Sequence, residues 1–148
     1  MHQRFILAAA LGFAAAAQAQ GQDTPKFDRE CAEWIAKKGY SPDYIEQRTG
    51  ERQTGMARNW RPNIELEELA PGDVVLQGVD TPDGRGQRVA MVEEVLKRKD
   101  GSIRAVRVSE MNLGKLVEPR CHVTENFGKV TMRTIALDRL RSAWRPGK

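Results

Sequence analysis

Apolar residues recur at two different periods along this chain, and the change falls near Pro71-Gly72. Before it the spacing is helical. Cys31, Trp34, Ile35 and the aliphatic stem of Lys38 stand at i, i+3, i+4 and i+7, one side of a helix with about 3.6 residues per turn. Asp28 precedes the run as an N-cap and Gly39 follows as a left-handed stop, so a helix is expected over 29–38. Ser41-Pro42 restarts the helix, with Ser as N-cap and Pro at N1. Tyr44 and Ile45 are its apolar positions and Gly50 its end. Residues 55–60 suggest a helical turn that stops before Arg61-Pro62.

After Pro71-Gly72 the pattern becomes that of strands. A short one is expected over 73–77 and a long, Val-rich one over 87–97. Thr81-Pro82-Asp83-Gly84-Arg85-Gly86 between them has turn chemistry. Lys99-Asp100-Gly101 suits a hairpin turn, so 102–112 should pair back. Residues 115–127 are irregular, 129–136 read as a strand, and 137–144 as a last short element. Helices first and antiparallel strands afterwards give an α+β domain, its N-terminal helices packed on one side of an antiparallel sheet.

The N-terminus does not fit that domain. His2 and Arg4 make a polar, positive start, and the uncharged Ala-rich run from Phe5 to Ala17 follows. Ala17-Gln18-Ala19 then supplies the small-x-small pattern of a signal-peptidase site. The apolar run is shorter than the roughly 20 residues a spanning helix needs. The expected division is a signal peptide over 1–19, a flexible lead-in over 20–27 and one folded domain over 28–148. The protein is thus expected in the periplasm or outside the cell, and not to span the membrane.

Charge narrows the partners. Lys and Arg number 24 against 20 Asp and Glu, a formal net charge of +4. The basic residues are interspersed with acidic ones and form no stripe, which argues against nucleic acid as a partner. One His and two Cys outside the signal make no recognisable zinc pattern, and Gly84-Arg85-Gly86 lacks the setting of a phosphate loop. No metal and no cofactor are expected. Export changes the meaning of the cysteines: outside the cytoplasm an even number usually pairs, and here only Cys31 with Cys121 is available.

Five stretches in order carry a resemblance. They are Cys31-Ala32-Glu33-Trp34, Ala57-Arg58-Asn59-Trp60, Pro71-Gly72-Asp73-Val74-Val75, Gln87-Arg88-Val89-Ala90-Met91-Val92-Glu93 and Ser109-Glu110-Met111-Asn112. Together they resemble the CHAP (cysteine, histidine-dependent amidohydrolase/peptidase) domain family. The resemblance implies a papain-like fold and an origin among peptidoglycan amidases and endopeptidases. It places Cys31 as nucleophile at a helix start, Glu110 or Asn112 as orienter of the family's His, and Trp60 along a groove. It also exposes a departure, because Arg88 stands where the family has its catalytic His. Arginine has a pKa above about 12 and cannot act as the base.

Three readings remain open at this level. In a pseudoenzyme, the groove persists and binds peptidoglycan, its stem peptides or an envelope protein, with Arg88 paired to Glu110. In an active hydrolase, Arg88 and the helix start favour a Cys31 thiolate, and His122 supplies the missing acid. With Cys31 bonded to Cys121, the site is purely structural and the domain is a disulfide-stapled binding or scaffold domain; a separate function class is a periplasmic accessory of a secretion or conjugation machine that uses the domain only as scaffold. Glu110 and Asn112, at i and i+2, are expected on one face of their strand. Trp34 and Trp144 are expected in the core.

Overall fold

The computed structural model describes residues 24–54, 60–78 and 87–148. The expected signal peptide, the start of the lead-in, Ala57-Arg58-Asn59 and the turn at 81–86 lie outside them. Three short helices come first: α1 (Thr24–Glu30), α2 (Ala32–Ala36) and α3 (Ser41–Thr49). The strands are β1 (Val74–Gly78), β2 (Gln87–Lys97), β3 (Ile103–Met111), β4 (Leu116–Glu118), β5 (Val123–Thr124), β6 (Val130–Ala136) and β7 (Leu140–Trp144). The architecture is α+β, with a five-stranded antiparallel sheet in the order β6-β3-β2-β1-β7 and a small β4-β5 pair.

The helix expected over 29–38 is instead two pieces. Thr24-Pro25 holds a better start signal than Asp28, so helical structure already begins inside the stretch assigned to a loose lead-in. Cys31 then breaks the run at φ −113° and ψ 16°. Its carbonyl still accepts from the Ile35 amide at 2.9 Å, so α2 continues directly from α1. The left-handed residue that ends α2 is Lys38, at φ 56°. Gly39 is needed for another reason: a Cβ there would lie 2.5 Å from the Phe127 ring. Tyr40, not Ser41, caps α3; the Asp43 carboxylate accepts from its amide at 3.0 Å, and Gly50 closes the helix at φ 82°.

The sheet cannot be flat. β6 and β7 are its opposite edges, yet only Leu137–Arg139 separates them in the chain. Four strand spacings would set flat edges about 19 Å apart. The link spans at most about 14 Å. The sheet therefore curls until its edges approach. Ile135 of β6 and Ala143 of β7 accordingly share one core cluster with Val75, Ala90, Val92, Val106 and Val108. Residues of the opposite parity, Val74, Leu76, Val89 and Met91, form the outer face with Met111, and Tyr44 and Ile45 of α3 pack on it with Trp60 and Trp144. Ile45 is fully buried, an anchor of about 2 kcal/mol for α3. Tyr44 and Arg48 add polar ties, to Ser109 at 2.7 Å and to Glu93 at 2.7 Å.

Pro71-Gly72-Asp73 fixes the entry to β1. Gly72 takes φ 95°, a conformation glycine adopts without strain. Asp73 is almost fully buried and accepts from the Ala70 amide at 2.8 Å. Arg145, just after β7, clamps both its oxygens at 2.8 and 2.9 Å. This motif of the resemblance thus joins the first and last strands of the sheet.

Candidate functional site

Cys31 and Cys121 are joined by a disulfide, their Cα atoms 5.6 Å apart and 90 positions apart in sequence. Both are buried, with Val123, and Phe27, Trp34, Ile35, Tyr40 and Phe127 pack around them. Trp34 and Tyr40 meet the Phe127 ring edge-on at 5.1 and 5.0 Å. A bonded sulfur carries no thiolate, so in this form Cys31 has no nucleophile to offer. Cys31 stands at the N-cap of α2. The helix start that reaches β2 belongs to α3, where Ser41 Oγ accepts from the Val89 amide at 3.5 Å.

Tyr40 seals this cluster by donating its hydroxyl to the Cys121 carbonyl at 2.6 Å. Burial first, then the Asp43 and Glu118 carboxylates, push its phenol from 10.0 up to about 12. A raised phenol pKa adds stability that is complete below the unfolded value and fades as pH rises through the folded one. Stability is therefore expected to fall between pH about 10 and about 12. A phenolate absorbance titration should show one late-ionising tyrosine, and Tyr40→Phe should remove that step. A Tyr40 that ionises with unfolded-chain behaviour would contradict the sealed arrangement.

Arg88 lies elsewhere, on the inner parity of β2 with Ala90 and Val92. Directly beyond the apolar core, four inward positions make a polar layer: Gln77 of β1, Arg88 of β2, Glu110 of β3 and Arg133 of β6. The register pairs Gln77 with Arg88, and Glu110 with Thr131 two residues from Arg133. Glu110 is completely buried. Its Oε1 accepts from Arg88 Nε at 3.0 Å and from Gln77 Nε2 at 3.0 Å; its Oε2 accepts from Arg133 Nε at 2.9 Å. Arg133 also donates to Gln77 Oε1, and Arg88 Nη2 donates to the Met111 carbonyl at 2.7 Å. Burial draws the Arg88 pKa below its ordinary value, Glu110 opposes that shift, and the charge of Arg133 adds to it.

The remaining expected residues scatter. Asn112 does not share a face with Glu110, because β3 ends at Met111 and Asn112 turns left-handed at φ 68°. Its side chain instead donates to the His122 carbonyl at 2.8 Å and accepts from the Thr124 amide at 2.9 Å. It thereby holds the segment that carries Cys121 against the end of the sheet. His122 is itself left-handed, at φ 55°, and its ring lies 5.6 Å from that of Phe27. Trp60 is 8% exposed within the outer core, and its indole donates to Ser142 Oγ at 2.6 Å. It packs where a groove-lining role was expected. Trp144 closes the same cluster, and Trp34 packs at the disulfide.

Two site residues, Gln77 and Arg133, escape the sequence reading. Each has a faint signal: Gln77 is two residues from Val75, and Arg133 two from Ile135, so each is a polar residue at inward parity. Among the described residues no group of three or more His, Cys, Asp or Glu could hold a metal ion. No described helix is long and apolar enough to cross a membrane. In comparisons with known proteins, the chain matches no family model, no curated protein and no solved structure.

Proposed function

We propose that this protein is an exported, disulfide-stapled binding domain of the cell envelope, derived from a CHAP-like peptidoglycan hydrolase and without hydrolysis of its own. One observation carries the reading: the two positions that catalysis needs are both committed. The Cys31 sulfur is bonded to Cys121, and Arg88 is held by Glu110. Neither a thiolate nor a proton acceptor is left between them. A disulfide persists in an oxidising compartment, in keeping with the export signal read at 1–19. The ligands proposed are peptidoglycan stem peptides or an envelope protein. The scaffold for an envelope protein is kept as the second reading.

Purified sacculi test this directly. The mature protein, unreduced, is expected to sediment with sacculi and to release no muropeptides. Arg88→His is expected to restore no hydrolysis while the disulfide is intact. Muropeptide release that disappears in Cys31→Ala would overturn the reading in favour of an active cysteine hydrolase. Absence from the sacculus pellet, together with copurification of an envelope complex, would overturn the peptidoglycan arm and leave the scaffold.

A further inference from the structure

The inward polar layer holds more positive charge than it neutralises. Arg88 and Arg133 bring two guanidinium groups, and Glu110 alone answers them. Gln77 is neutral and is consumed by the cluster, donating to Glu110 and accepting from Arg133. No other carboxylate among the described residues pairs with either arginine. A surplus charge in a partly dehydrated layer is costly unless an anion meets it.

The donors for such an anion are present. Among the described residues Arg88 Nη1 and Arg133 Nη1 have no hydrogen-bond acceptor, whereas Nε of each is fixed on Glu110. Glu110 orients both groups by bonding one to each of its oxygens, so the fork of each is set before a ligand arrives. Arg133 keeps 37% of its side chain exposed, against 13% for Arg88 and none for Glu110. The layer is thus closed by Glu110 within and open on the side of Arg133.

We propose that Arg88 and Arg133 form a receptor for a carboxylate of the ligand. A monoanion with two acceptor oxygens matches the two open Nη1 groups, one on each arginine, and the single surplus charge. A phosphate dianion would overshoot that charge. This proposal deepens the binding-domain reading and rests on it for the source of the carboxylate, the free acid terminus of a stem peptide.

The probes are a peptide acid ending in D-alanyl-D-alanine, its C-terminal amide, acetate and inorganic phosphate, each titrated into the full mature protein. The readout is the Nε–Hε resonances of Arg88 and Arg133 in two-dimensional NMR spectra. The peptide acid is expected to move both resonances saturably and the amide to move neither. Arg133→Gln leaves Glu110 paired with Arg88, and is expected to weaken the peptide acid about 10- to 100-fold. Arg133→Lys keeps the charge without the fork and should fall between. Acetate acting as strongly as the peptide supports the site and assigns it to small free carboxylates. Phosphate moving the resonances while acid and amide do nothing would overturn the proposal. So would resonances that ignore every probe and respond only to Asp80→Asn or Asp83→Asn, carboxylates of the chain outside the described residues. Sacculus sedimentation unchanged in Arg133→Gln would sink this site and leave the binding-domain reading standing. Resonance shifts with no sedimentation would do the reverse.

Discussion

Replacing Cys31 and Cys121 together by Ala is expected to lower stability by about 4–5 kcal/mol, the loop-entropy value for a cross-link of this span. The two residues are 90 positions apart, so the bond restrains most of the unfolded chain. The native side of the balance points the same way. No residue of α2 is buried, and α1 and α2 reach the rest of the molecule mainly through Phe27, Trp34 and Ile35 around the disulfide. Calorimetry of the double variant should show a melting temperature about 10–20 °C lower. Cys31→Ala and Cys121→Ala should each match the double variant, since either one removes the same bond. Reductant should bring the natural protein to the same value. Amide exchange should speed up first in α1 and α2 and least in β2 and β3. A Cys31→Ala variant as stable as the parent would sink the structural role. If Cys121→Ala alone were destabilised while Cys31→Ala lost only activity, the free-thiol enzyme would return.

The parts of the fold that were legible in the sequence are those governed by a local period. β2 runs over the expected 87–97, because the Val-rich run through Val89, Met91, Val92 and Val95 between Gln87 and Lys97 reads as a strand buried on both faces, and β3 and β6 differ from expectation only at their ends. The disulfide was legible by counting, as one of the three readings left open. Helix boundaries failed where two cap signals competed, Thr24-Pro25 against Asp28. The Glu110–Asn112 face failed for a single dihedral: strand parity holds only as long as the strand does, and Asn112 is left-handed. The polar layer was legible only as the pair of Arg88 and Glu110. Gln77 and Arg133 join it because the strand order places β1 and β6 on either side of β2 and β3, and because the sheet curls. No period within one strand encodes which strands become neighbours.

Glu110→Gln is expected to cost about 3–5 kcal/mol, the penalty for leaving buried charge uncompensated. Glutamine fills the same volume and still accepts one hydrogen bond, so packing changes little and the loss is electrostatic. Arg88 and Arg133 then face each other with no carboxylate between them. The double variant Arg88→Met/Glu110→Gln should recover part of the loss, because it removes one of the two stranded charges. A double-mutant cycle by urea denaturation should therefore give a coupling of about 2 kcal/mol or more between these positions. The same charge argument fixes the sign of a ligand effect. Without Glu110 the layer carries two surplus charges in place of one, so acetate should raise the melting temperature of Glu110→Gln more than that of the parent. In Arg133→Gln, where Arg88 and Glu110 balance, acetate should give no rise at all. If Glu110→Gln unfolds within about 1 kcal/mol of the parent, the layer is hydrated enough to screen its charges. Burial then explains neither the tight pairing of Arg88 nor its attraction for an anion.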